Sequence, residues 1–337
     1  MGKRVLFWAN SNFYVKSGNF IFDKLITHGF DVLAFYDYVS GKGSHLIKRR
    51  LRFFMNLIKI LFISTKNDVI FTHDNFATWK LALVFRVLGM KRNICINNFM
   101  YEGGGICKRK LFSYALSKQK IAVNSTDLKK KLLQDIPGLK EERIFVIPDC
   151  IEVIEKKMRI VKSDQTLIKE SEYIFSGGST RRDYKLVLDV AKERNDWNFV
   201  IVASKNQQYM FSEVPSNVTV FYNIPFDSFV QKLKNSKIVF VPLNSQFQGG
   251  QLVLFIAALL KKPMVTSETY TIRTYFDDDS CSFIPIGNKE AAIKRLNDIM
   301  NKAPKELDNR CDMAYKQVKK FDVDYCFNLM LKMISQN

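Results

Sequence analysis

Short apolar runs alternate with helical stretches along nearly the whole chain. This alternation restricts the chain to an α/β architecture built on parallel sheets. The runs begin with "RVLFWAN", "DVLAFYD", "DVIFTHD", "NICINNF", "KIAVNS" and "RIFVIPD". Between them lie helical stretches such as "SGNFIFDKLITHG", "TWKLALVFRVLG" and "TDLKKKLLQDI". The rhythm breaks over "IEVIEKKMRIVKSDQTLIKES", which is polar and reads as a linker. It then restarts with "YIFSGG", "NFVIVAS", "VTVFYN", "KIVFVPL", "PMVTSE" and "SFIPIG". A final pair of helices, "KEAAIKRLNDIMNKA" and "DYCFNLMLKMISQ", closes the chain. With 337 residues, two domains are expected. The boundaries are 1–153 and 154–317 around a hinge near 155, with a helix at about 318–337 able to pack back on the first domain.

No run of about 18 apolar residues is present, so no membrane-spanning helix is expected. Six cysteines are scattered without a Cys-x-x-Cys pair. That argues against a zinc or disulfide framework and suits reduced thiols in the cytosol. The formal charge is +19, which calls for an anionic partner. Nucleic acid, an anionic membrane face and phosphorylated small molecules compete for that role. No RNA-recognition signature or zinc pattern occurs, and basic residues are spread over both halves, so no nucleic acid is expected. The stretch 44–63 places Lys48, Arg49, Arg50, Arg52 and Lys59 among Leu, Phe, Met and Ile. Such a helix can lie on an anionic bilayer, or pack on the core with a solvated basic edge.

In doubly wound sheets ligands collect beyond the carboxyl ends of the strands. Three such ends in the second half look specialised. "YIFSGGSTRRDYKLVL" offers Gly177, Gly178, Ser179, Arg181 and Arg182 before a helix, a combination suited to a diphosphate. Gln248, Gly249, Gly250 and Gln251 open "LVLFIAALL", a helix start with bare N–H donors and no carboxylate of its own. Tyr222, Asn223 and Ile224 end a strand where backbone groups could read a nucleobase. In the first half, His73 and Asp74 follow "DVIFT", and Glu102 precedes three glycines. These are candidates for holding or deprotonating an acceptor hydroxyl. "DDDS" at 277–280 reads as a charged turn.

The ordered set "RDYKLVL", "NIPFDSFVQKLKNSKIVFVPL" and "GGQLVLFIAALLKKPMVT" resembles the C-terminal half of family 4 GT-B glycosyltransferases. "RIFVIPDCIE" resembles the segment that ends their N-terminal half, and "SGNFIFDKLITHGFDVLAFY" their opening helix and strand. The likeness implies two Rossmann-like domains facing across a cleft, with acceptor on the first and nucleotide-diphosphate sugar on the second. It implies a metal-independent enzyme with no further cofactor, favouring retention, with inversion the outcome if Glu102 is a true base. It also implies a saccharide or lipid-linked acceptor, in assembly of bacterial surface polysaccharide or lipopolysaccharide at the inner face of the membrane. The family's Glu-x7-Glu pair falls on Gln248 and Ile256 here. Both carboxylates are absent, so the ribose needs another partner, with Glu268 the candidate. Asn97 and Asn98 stand where many relatives have a histidine. A GT-B protein that binds sugar without turnover is the alternative this loss admits.

Overall fold

The computed structural model describes residues 3–12, 14–15, 19–38, 46–73, 78–101, 103–160, 172–247 and 249–336. The chain divides into two compact units, 1–149 with 323–337, and 150–322.

In the first unit the elements run β1 (Arg4–Ser11), α1 (Phe20–Thr27), β2 (Asp31–Tyr38), α2 (Leu46–Ile63), β3 (Val69–His73), α3 (Thr78–Val87), β4 (Asn93–Asn97), α4 (Ile106–Leu116), β5 (Lys120–Val123), α5 (Thr126–Asp135) and β6 (Ile144–Val146). The strands form one sheet in the order β2-β1-β3-β4-β5-β6, every pairing parallel. Both faces are covered, so the strands are nearly continuous apolar runs. Alternate residues of β1 serve opposite faces. Leu6 and Trp8 join Phe53, Leu57 and Ile60 of α2 and Leu81 and Phe85 of α3. Val5, Phe7 and Ala9 join Ile21 and Leu25 of α1 on the other face.

The second unit starts with α6 (Glu152–Ile160), inside the segment expected to be a linker. Ile151 and Ile154 are buried in this unit's core, and that burial supplies what the polar composition hides. There follow β7 (Tyr173–Gly178), α7 (Tyr184–Glu193), β8 (Asn198–Ala203), β9 (Val218–Tyr222), α8 (Phe226–Lys234), β10 (Ile238–Val241), α9 (Gln251–Leu259), β11 (Met264–Ser267), α10 (Tyr270–Tyr275), β12 (Ser282–Ile284), α11 (Lys289–Met300) and α12 (Pro304–Lys319). The second parallel sheet has the order β12-β11-β10-β7-β8-β9. Helix α9 buries Val253 through Ala258 against Phe175, Val239 and Val241. The last helix, α13 (Val323–Ser335), returns to the first unit. Its Phe327, Met330, Met333 and Ile334 complete the core on the α1 face.

The strand orders locate the functional edges. In the first sheet β2 leaves β1 on one side and β3 on the other. In the second, β8 leaves β7 on one side and β10 on the other. A crevice opens beyond the carboxyl ends at such reversals.

Candidate functional site

At the second sheet's reversal, the loop after β7 meets the loop after β10. They are laced together. Asp183 N donates to Pro242 O at 2.9 Å and Asn244 N to Arg181 O at 3.1 Å. The Arg181 guanidinium lies 5.4 Å from the Phe247 ring centre and reaches Ser245 Oγ at 3.5 Å. A side chain at Gly249 would meet Thr180 O at 3.2 Å. The two glycine loops expected to share a ligand are therefore neighbours.

The "RDY" triplet shapes the first loop. Arg182 is 5% exposed. Its Nε donates to Gly177 O at 2.6 Å and its Nη1 to Thr180 O at 2.7 Å. Asp183 caps α7 by accepting from Leu186 N at 3.0 Å. Tyr184, buried, donates to Gly178 O and Val202 O. Three carbonyls of the loop are thus taken by side chains behind it. Gly178 has φ 112, and a Cβ there would fall 2.3 Å from Arg182 Nη2. Glycine is required on both counts. Among the described residues Arg182 has no carboxylate partner. Burial pushes its guanidinium down to about 10, so it remains a cation at neutral pH, held only by carbonyl dipoles.

The second loop ends at Gly250, the N-cap of α9, with φ 86 and no side-chain cap. Helix α9 has no acidic residue in its first turn. The helix start therefore offers backbone donors and partial positive charge. Gln251 is buried at that start. Gln248 lies outside the described residues. Ile256 is buried in the α9 core, so its position points away from any ligand at the edge.

Other strand ends brace the same edge. Ser267, ending β11, accepts from Leu243 N at 2.9 Å and donates to Leu243 O at 3.1 Å. Gln246 Nε2 donates to Glu268 O at 3.3 Å. The half-exposed Glu268 carboxylate accepts from Arg273 Nε at 2.9 Å, so the proposed ribose partner is already engaged by a cation. Gln207 Nε2 donates to Ser179 O at 2.8 Å. Asn223, with φ 48, uses Oδ1 to accept from Lys205 N at 3.0 Å. Tyr222 and Ile224 are partly buried beside it. Gln207, Ser245, Phe247 and Ser267 carried no motif in the sequence, and only the strand order brings them here. Asp277 closes a turn by accepting from Asp279 N at 3.2 Å and Ser280 N at 3.1 Å. Among the described residues no three His, Cys, Asp or Glu side chains gather as a metal group.

The first sheet's reversal places His73 at the end of β3, in register with Ala9 and Asn97. The ring is buried, 4.5 Å from the Tyr14 ring between centres. Asn97 Nδ2 lies 2.7 Å from His73 Nδ1. Which of the two nitrogens donates in this contact depends on the tautomer of the ring. The contact holds His73 at the strand end where the sequence offered it as a candidate for holding or deprotonating an acceptor hydroxyl. Asp74 and Glu102 lie outside the described residues.

No family model matches the chain, and no curated protein matches its sequence. Solved structures do match in fold. Anabaena Alr3699/HepE in complex with UDP superposes with TM-score 0.67 at 13% identity, over 98% of this chain and 99% of that one. A glycosyltransferase from Rickettsia africae gives TM-score 0.72 at 12% identity, over 100% of both chains. A UDP-forming α,α-trehalose-phosphate synthase from Burkholderia vietnamiensis gives 0.72 at 10% identity, over 99% of both. With two parallel six-stranded sheets and full-length superposition on such enzymes, the chain has the GT-B glycosyltransferase fold.

Proposed function

We propose that the protein is a glycosyltransferase that moves a sugar from a nucleoside-diphosphate sugar to a saccharide acceptor. The observation that carries this reading is Arg182, a buried cation with no carboxylate partner among the described residues, in a glycine loop laced to the loop that leads to the uncapped start of α9. A diphosphate meets what both features lack. It would bring anionic oxygens to the backbone donors of α9 and to the positive loop. Arg181 at the rim adds a second cation. The solved relatives support the donor class, since one was crystallised with UDP and another is named as UDP-forming.

The chemistry we assign keeps the sugar's configuration. The acceptor hydroxyl attacks the anomeric carbon on the face the diphosphate leaves, the glycosidic bond to phosphate breaks, and a departing phosphate oxygen takes the hydroxyl proton. The cations of this chain offset the diphosphate charge in the step.

The acceptor we assign is lipid-linked, as in building a bacterial surface polysaccharide or lipopolysaccharide. Helix α2 supports this. Phe53, Leu57 and Ile60 pack on the core, while Ile47, Leu51, Phe54, Met55, Ile58 and Phe62 are exposed along another face. Arg49 and Arg52 lie against Tyr38 and Tyr36. An apolar face flanked by cations suits an anionic bilayer surface. No helix among the described residues is long and apolar enough to cross a membrane.

A thermal-shift panel of UDP, GDP, dTDP and their sugars tests the donor reading. One nucleotide at a hundredfold excess over its Kd is expected to add about 2.7 kcal/mol of stability. Arg182→Ala abolishes that shift and Arg182→Lys reduces it. An unchanged shift in a folded variant removes Arg182 from the site. Slow hydrolysis of the matching donor separates an enzyme from a protein that only binds.

A further inference from the structure

The amino-terminal edge of the first sheet, opposite that sheet's carboxyl strand ends, carries a second feature. An open cavity of ≈ 810 Å³ lies where α3 ends and β4, β5 and β6 begin. Six cations line it: Arg86, Lys91, Arg92, Lys118, Lys140 and Arg143. No carboxylate lines it. Lys140 Nζ pairs at 3.8 Å with Glu142, which does not line the cavity. Part of this charge serves the fold. Arg92 binds Ser64 Oγ at 3.1 Å and Ser64 O at 2.9 Å, and Arg143 binds Lys118 O at 3.0 Å. The remainder does not. Lys91 and Lys118 have no side-chain partner among the described residues.

Two lining residues also carry a buried polar atom without a partner among the described residues. Arg86 lies with its guanidinium 5.0 Å from the Tyr114 ring centre, and its Nη1 is buried without an acceptor. Gln119 is 7% exposed, and its Oε1 is buried without a donor. A buried polar atom left unpaired costs stability unless something fills the site. Here the residues that carry an orphan donor and an orphan acceptor line one cavity with lysines that have no side-chain partner among the described residues. A simple anion satisfies the cations and Arg86 but offers nothing to Gln119. A phosphorylated polyol satisfies all of them, its phosphate facing the cations and a hydroxyl donating to Gln119 Oε1.

We propose that this cavity binds a phosphorylated polyol, either a free sugar phosphate or the phosphoglycerol headgroup of a lipid. The site is independent of the donor site. The experiment is calorimetric titration of the full chain with fructose 1,6-bisphosphate and with inorganic phosphate, at fixed ionic strength. The bisphosphate binds, and Lys91→Ser/Lys118→Ser weakens it roughly tenfold. Lys192→Ser/Lys294→Ser, an equal loss of charge on the second unit, leaves it unchanged. Gln119→Leu weakens bisphosphate binding without lowering the unfolding temperature, because it removes an unpaired buried acceptor. No binding, or equal loss in both lysine pairs, overturns the proposal. Equal affinity for inorganic phosphate and bisphosphate, untouched by Gln119→Leu, overturns the polyol assignment. Sedimentation with phosphatidylglycerol vesicles assigns the source. Release by Lys91→Ser/Lys118→Ser supports a lipid headgroup. Retained vesicle binding, with bisphosphate binding lost, supports a free sugar phosphate.

Discussion

The exposed face of α2 gives a sharp test of membrane association. Phe62 is 86% exposed at the helix's last turn. Fully burying a phenylalanine side chain contributes about 1.5–3 kcal/mol. Scaled by the 86% that the fold leaves in water, insertion of Phe62 contributes about 1.3–2.6 kcal/mol. Phe62→Ser should therefore weaken partition onto vesicles by roughly ten- to eighty-fold. The fold should not notice, since an exposed residue outside the core usually changes stability by about 0.5 kcal/mol or less. Arg50→Ser, also on α2, should cost about 1 kcal/mol of binding to anionic vesicles. Its effect should fade as salt screens the headgroups, while the Phe62 effect persists. Co-sedimentation with anionic vesicles over a salt series, beside urea unfolding, reads both quantities. Unchanged partition in Phe62→Ser, or a loss of stability that accompanies it, refutes the reasoning. The second result would mean that the ring is covered by protein rather than by lipid.

Two further outcomes follow from the geometry. Gly178→Ala forces a side chain into φ 112 and onto the buried Arg182 guanidinium. It should cost about 3 kcal/mol from backbone strain and displaced charged hydrogen bonds, and should abolish the nucleotide-induced thermal shift. Denaturant unfolding and the thermal shift measured on one sample check it. Asp68 is buried, which pushes its carboxyl up, but Arg4 at 2.6 Å and the Thr65 N–H outweigh this and hold it below the usual carboxylate range. A depressed acid stabilises the fold above its unfolded value, and the contribution is lost as pH falls through the native one. Arg4→Met should therefore be costly at neutral pH, about 2 kcal/mol, and progressively less so in acid. A cost that does not shrink in acid, read from unfolding free energies across pH, would separate Arg4 from Asp68.

The strands were legible because a parallel strand covered on both faces must be apolar for most of its length. Helix α12 was not, because it buries only the small stripe Cys311, Ala314 and Val318 beneath an otherwise polar surface. The start of α6 hid for a similar reason, with Ile151 and Ile154 carrying its attachment amid lysines and glutamates. At the site, the glycine loops were visible as local patterns. Their meeting was expected only through the ordered resemblance, since it depends on β7 and β10 being neighbours across a long stretch of chain. Arg182 and Arg181 look alike as letters. Only the fold turns one inward onto Gly177 O and Thr180 O and leaves the other at the rim. Glu268 likewise reads as free until Arg273 is brought beside it.

In the proposed donor site, Arg182 would explain how a site without the usual carboxylate pair can still select phosphate. A guanidinium removed from water pays a desolvation cost that carbonyl dipoles offset only in part, as its lowered proton affinity records. Placing a carboxylate nearby would offset that cost and also cancel the field at the crevice. This chain does neither. Ile256 is sealed in the α9 core, and the helix's first turn is free of acids. The unoffset part of the cost is returned when an anion arrives, so ligand binding and loop stability are two readings of one interaction. The loop after β7 should accordingly gain hydrogen-exchange protection on nucleotide binding, whereas the α2 face, which carries none of this charge balance, should not.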